Sequence, residues 1–241
     1  RSEIFALCRA MIETGISPDF IAVDGGEGGT GAAPLEFSNH IGMPGTDAWA
    51  FVHGVLVSTG LRDEVRVFAS GKILTAFHMV RAMALGADGC TSARGMMLAM
   101  GCIQGLRCND DSCPTGVATQ NPALYHGMVP KDKGTRVARF HEATMHSLHE
   151  ILGAMGLADP SEITPGMIFR RVSDVTIRSY SELYTFPAAN ALLDGGNVPE
   201  AWRTEWDQTS AESFQPVSGD RLPARRNQKI TTSESGMSEI G

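Results

Sequence analysis

Apolar residues nowhere run unbroken for the eighteen or so positions that a membrane-crossing helix requires, so no segment of this sequence reads as a bilayer span. Cationic residues are also short: 20 Lys and Arg stand against 27 Asp and Glu, a net charge of −7. That balance argues against a nucleic-acid or anionic-membrane surface, both of which want clustered Lys and Arg. No signal segment is read in this sequence, so a disulfide scaffold is a poor expectation and the cytoplasm is the expected location. The first residue is Arg1 rather than Met, and helix-like sequence begins at once, which leads us to expect that further protein precedes it. What remains is a chain of 241 residues with 42% hydrophobic composition, the size of one large domain or part of one.

Cysteine is scarce too, with five in all, but three of them fall in one stretch: Cys102, Cys108 and Cys113, the last followed by Pro114. Structural zinc sites usually pair two closely spaced Cys or Cys/His motifs to reach four ligands, and no second pair or well-placed histidine accompanies these. Three thiolates in a short loop suit an iron–sulfur cluster, whose irons require that ligand. His141, His146 and His149 recur on one predicted helix, but without a carboxylate-rich motif they read as solvated or capped side chains.

Upstream, the pattern is strand, glycine-bearing exit, helix, and then again. Residues 4–12 have helical spacing and stop at Gly15 and Pro18, and 20–23 is a short buried strand. It runs into Asp24-Gly25-Gly26-Glu27-Gly28-Gly29-Thr30-Gly31, where glycines let backbone amides approach a ligand. Asp47 is placed as the N-cap of the next helix. A second strand, 65–69, exits through Ser70-Gly71-Lys72 into a helix that carries Ile73, Leu74 and Phe77. A very short third, 87–90, exits through Ser92-Ala93-Arg94-Gly95. Such repetition favours a parallel sheet flanked by helices, and a barrel more than an open sheet. In a βα barrel, consecutive strand exits with helix N-termini and cations form a phosphate site. A helix is expected over about 135–155, and Arg170-Arg171 is read as the close of a short helical piece. The expected division is βα units over 1–101, the cysteine loop over 102–120 and a helical extension over 121–180. An extended arm pinned by Trp202, Trp206 and Phe214 follows over 181–218, then a disordered tail over 219–241.

Together, Gly28-Gly29-Thr30-Gly31-Ala32-Ala33-Pro34, Ala69-Ser70-Gly71-Lys72, Gly86-Ala87-Asp88 and Ser92-Ala93-Arg94-Gly95 resemble the flavin-binding synthase domain of glutamate synthases and of glutamate synthase-related proteins. The cysteine stretch with Cys113-Pro114-Thr115-Gly116-Val117-Ala118-Thr119-Gln120 is the most specific part of the likeness. The resemblance implies the C-terminal portion of a (β/α)8 TIM barrel, entered after its fifth strand, with the N-terminal half supplied elsewhere. It implies FMN, bound by Gly28, Gly29, Ser70, Gly71, Lys72, Ser92, Ala93, Arg94 and Gly95, and a three-iron, four-sulfur cluster (3Fe-4S) on Cys102, Cys108 and Cys113.

The activity implied is reductive amination of 2-oxoglutarate to L-glutamate with ammonia derived from glutamine. Its electrons would come from ferredoxin or an NAD(P)H-linked subunit. Glu27 is the candidate for proton handling or ammonium contact, and Thr30 for a hydroxyl to the substrate. One departure falls in this loop. Where glutamate synthases proper carry Ser-Gly-His-Asp, this chain has Asp24-Gly25-Gly26-Glu27. The alternatives are a non-catalytic FMN and iron–sulfur electron-transfer subunit, or an amine/keto-acid oxidoreductase with a different substrate.

Overall fold

The computed structural model describes residues 1–25 and 40–214. Three parallel strands form its centre: β1 (Phe20–Asp24), β2 (Arg66–Ser70) and β3 (Gly89–Cys90), in the order β1-β2-β3. Val23 pairs with Ala69, and Ala69 in turn with Cys90. Each crossover carries a helix, α2 (Gly45–Ser58) between β1 and β2 and α3 (Ala76–Ala84) between β2 and β3. This is the arrangement that parallel pairing demands, because a short hairpin cannot return a chain to the same edge. Helix α1 (Ser2–Thr14) precedes the sheet and α4 (Ala93–Met100) leaves it.

The core lies between α1, α2 and the sheet. Val65, Val67 and Ala69 are fully buried, and α2 contributes Trp49, Phe51, Val55 and Leu56. The indole Nε1 of Trp49 donates to the Val23 carbonyl at 3.1 Å, so the largest buried side chain of the helix also has its one polar atom satisfied. β1 is much less covered: Phe20 is 57% exposed. Beyond α4 come a short helix, α5 (Pro122–Tyr125), and the long α6 (Pro130–Met155), which buries Leu148 and Leu152. Among the described residues no helix is long and apolar enough to cross a membrane.

Several boundaries depart from the sequence reading. Helix α2 begins at Gly45 with Pro44 at the N-cap, so Asp47 sits inside the first turn, where a carboxylate favours the positive end of the helix dipole. Helix α3 begins at Ala76, capped by the Thr75 side chain, which leaves Ile73 and Leu74 in the preceding loop. Helix α6 starts at Pro130 rather than near 135. Its first turns are polar and exposed and give no apolar periodicity, while proline at N1 costs no hydrogen bond.

The stretch expected to be a helical extension contains an antiparallel hairpin, β4 (Phe169–Ser173) and β5 (Thr176–Ser179), so Arg170 and Arg171 lie in a strand instead of closing a helix. The stretch expected to be an extended arm contains α7 (Tyr180–Leu183) and α8 (Glu200–Gln208). Trp202 and Trp206 on α8 are buried among Phe5 and Phe51 rather than laid across the surface. Ring centroids are 5.1 Å apart for Phe51 and Trp202 and 6.1 Å apart for Phe5 and Trp206. Phe214 is 59% exposed. The tail expected over 219–241 lies outside the described residues.

Candidate functional site

Parallel strands end together, so Asp24, Ser70 and Cys90 share one edge of the sheet. The chain leaves β2 through a tight exit. Gly71 has φ 97° and Lys72 has φ 54°, two left-handed residues in succession. A Cβ on Gly71 would stand 3.0 Å from Oδ1 of Asp24 and 3.4 Å from the Gly25 amide, so the exits of β1 and β2 press against each other at this glycine. Lys72 bears a side chain in a conformation that costs about 1 kcal/mol, and such cost is tolerated where surrounding structure fixes the turn.

The exit of β3 is tied in as well. The Thr91 amide donates to the Ala69 carbonyl at 2.9 Å, and the Ser92 hydroxyl donates to the Ile73 carbonyl at 2.6 Å. Ser92 is the N-cap of α4, yet its side chain makes no capping bond to that helix. The first amides of α4, the positive end of its dipole, and the Lys72 turn therefore stand at one edge, a combination that suits an anion. The predicted residues Ser70, Gly71, Lys72, Ser92, Ala93, Arg94 and Gly95 are brought together there. Glu27, Gly28, Gly29 and Thr30 lie outside the described residues, although the segment that carries them leaves β1 at this same edge.

The cysteine stretch begins at the other end of α4. Gly101 caps that helix in the left-handed conformation, with Lys133 Nζ and Arg136 Nη1 of α6 each 3.5 Å from where its Cβ would be, placing two cations at the negative end of the helix dipole just before Cys102. The loop is held by polar contacts more than by a core. Asp111, itself at φ 58°, accepts bonds from the Thr119 hydroxyl at 2.9 Å and the Gln120 amide at 2.6 Å. Ile103 and Leu106 stay 66% and 63% exposed.

Sulfur is cradled in two places: the Gln104 amide donates to Cys102 Sγ at 3.4 Å, and Cys113 is buried with Thr115 Oγ1 3.6 Å from its sulfur. Burial pushes the Cys113 thiol up. The Ala118 amide, the Thr115 hydroxyl and the Thr115 and Val117 amides outweigh it and bring the thiol down to about 7. Cys90 lacks such donors, and burial drives it up to about 11. The donor chemistry at Cys113 and Cys102 thus suits thiolate ligands, whereas the geometry of a closed site is not formed. Among the described residues no group of three His, Cys, Asp or Glu side chains converges as a metal site. All five cysteines are free thiols.

The opposite end of the sheet carries a different polar cluster. Arg62 donates to His53 Nδ1 at 3.0 Å, to the Val65 and Gly86 carbonyls, and to Asp88 at 2.7 Å, while Asp88 accepts the Val67 amide at 2.7 Å. His53 is held neutral, its pKa lowered to about 4 first by burial and then by the Arg62 charge, against a smaller opposing effect of Asp88. Gly86-Ala87-Asp88, one of the stretches that carried the family resemblance, thus works as a strand anchor remote from the exits. Neither the Arg62–Asp88 pair nor the Ser92–Ile73 bond is legible in local sequence, since the partners are separated by 26 and 19 residues.

The fold and the exits define a class: an α/β protein with a parallel sheet whose candidate ligand groups collect at the carboxyl ends of the strands. Residues 7–158 match the model of the conserved region in glutamate synthase. The chain belongs to the glutamate synthase family. It is 37% identical over 181 residues to the glutamate synthase large subunit-like protein YerD of Bacillus subtilis, covering 75% of this chain and 34% of that protein. It is 40% identical over 139 residues to an archaeal glutamate synthase (NADPH) of Methanocaldococcus jannaschii, covering 58% of this chain and 27% of that protein. The chain therefore spans about a third or less of these relatives. Among solved structures, a flavocytochrome b2 aligns over 74% of this chain and 43% of its own length at 13% identity, with a TM-score of 0.38, too distant to bear on fold or function.

Proposed function

We propose that this chain is the flavin-and-cluster portion of a glutamate synthase-like oxidoreductase that reductively aminates 2-oxoglutarate to L-glutamate in the cytoplasm. The observation that carries the reading is that one family match, over 7–158, contains both the paired strand exits and the three-cysteine loop. In this reading β1, β2 and β3 are the last strands of a (β/α)8 barrel, and the FMN phosphate is held between the Ser70-Gly71-Lys72 and Ala93-Arg94-Gly95 exits. Two features support that placement: phosphate sites of such barrels form at the last strand exits, and the exits here join helix amides to the Lys72 cation.

Cys102, Cys108 and Cys113 hold a 3Fe-4S cluster, which the amide and hydroxyl donors around Cys113 favour by stabilising the thiolate. Bound FMN would supply hydride chemistry and the cluster single-electron relay. The chain's own residues do the rest. Glycine amides with the Thr30 hydroxyl bind a substrate carboxylate, and Glu27 holds or moves a proton beside the ammonia-derived nitrogen. The relatives named above include an NADPH enzyme, and a ferredoxin-dependent glutamate synthase of Antithamnion is 30% identical over 167 residues. Either donor class suits the reading, with glutamine as the source of ammonia. Steady-state assay of the full-length protein with 2-oxoglutarate, ammonium and an artificial electron donor tests it. Thr30→Val should raise the KM for 2-oxoglutarate, and Glu27→Gln should lower turnover while FMN stays bound. Unchanged kinetics in both variants would remove this loop from the site.

A further inference from the structure

We propose that Ser92 is a positioning residue that fixes the separation of the two phosphate-binding exits by clamping one to the other, without touching the ligand through its side chain. The proposal rests on the flavin-phosphate reading given above. Its hydroxyl has a single proton, and that proton is given to the Ile73 carbonyl at 2.6 Å, across a gap of 19 residues and between the exits of two different strands. A phosphate oxygen can only accept, so a serine hydroxyl already committed to a carbonyl has no donor left for it. Ile73 is buried, at 3% exposed, and directly follows the left-handed pair Gly71 and Lys72. Holding its carbonyl therefore holds the end of that turn. Ser92 in turn begins α4, whose first amides form the other half of the anion site. This bond ties the halves to each other beyond the Thr91–Ala69 backbone bond and the strand ladder.

The surroundings are built for that rotamer. A Cβ on Gly95 would stand 2.6 Å from the Ser92 oxygen and 3.3 Å from the Phe140 ring of α6. Glycine at 95 leaves the hydroxyl room to turn toward Ile73, and Phe140 closes the other side. Thus a residue that reads in sequence as one more glycine of a phosphate turn is required here by the clamp.

The test uses the full-length protein stripped of flavin and titrated separately with FMN and riboflavin, which differ only in the phosphate, following flavin fluorescence. Ser92→Ala should lower FMN affinity by about five- to tenfold, the effect of losing one hydrogen bond, with riboflavin affinity unchanged. Ser92→Cys keeps the volume but donates weakly and should show the same loss. Ser92→Thr should restore the preference, and Gly95→Ala should lower it by crowding the hydroxyl. An FMN-to-riboflavin preference unchanged in Ser92→Ala and Ser92→Cys would overturn the clamp. So would equal losses for both flavins, which mark a merely structural role. A wild-type protein with no preference for FMN would instead overturn the phosphate placement itself.

Discussion

The two ends of α4 carry the two candidate cofactor sites, and they are built in opposite ways. At its start, the exits of β2 and β3 are fixed by a parallel ladder, the buried residues of β2 and the Ser92 side-chain bond, so the proposed anion site is held by ordered strand ends. At its end, the cysteine loop has no core of its own, bends through non-glycine left-handed residues at Gln104, Leu106 and Asp111, and does not gather its sulfurs. The difference teaches where folding energy comes from at each site. Strand exits inherit their order from the hydrophobic core, whereas the cysteine loop is ordered by local polar contacts such as those that Asp111 accepts from Thr119 and Gln120.

The comparison can be broken most sharply by removing one ligand. Cys113→Ser in the full-length protein should abolish cluster iron while FMN remains bound, as read by iron and sulfide analysis beside flavin absorbance. Loss of both together would mean that the two ends depend on one another.

Acid provides the next largest effect, because His53 in the strand anchor is neutral in the fold. The pKa of His53 is lowered to about 4 from 6.5, so its contribution is fully present above about 6.5 and is lost as pH falls toward 4. The full loss amounts to about 3 kcal/mol. Denaturant titrations across that window should show it, and His53→Gln should flatten it.

Smaller again is Gly71→Val, which places a branched side chain at φ 97° against Asp24 and should cost FMN about tenfold or more in affinity, leaving cluster iron unchanged. Cys8→Ala, in the core and away from the exits, should leave FMN binding as it is. The smallest effect is expected from Asp111→Ala. It removes the acceptor joining Thr119 and Gln120 across the loop and should weaken cluster retention by about 1 kcal/mol, measured as the rate of iron loss to a chelator.

What the sequence made legible follows the same division. Strands β1 and β2 and their crossover helix announce themselves because apolar runs and glycine exits are local signals. Although Ala93, Arg94 and Gly95 form the first turn of α4 instead of an exit loop, the Ser70-Gly71-Lys72 turn and the helix start near Ser92 were found for that reason. The Ser92 clamp was not, since nothing near Ser92 reveals a partner at Ile73. Trp202 and Trp206 read in sequence as anchors of a surface arm, because a nine-residue helix rich in charge offers only these two large apolar side chains until Phe5 and Phe51 are placed against it. The hairpin at 169–179 was read as helix end, its exposed strands offering no buried face to mark them. The segment holding Glu27 and Thr30 lies outside the described residues.

The proposed reaction passes electrons from FMN to a keto acid and ammonia. Its most direct test is to reduce the full-length protein anaerobically and follow flavin absorbance on mixing with 2-oxoglutarate, with ammonium, and with both. Reoxidation that requires both together, with glutamate formed in step, is the predicted result. A reduced flavin left unchanged by the mixture would contradict the claim and favour an electron-transfer subunit without a keto-acid site.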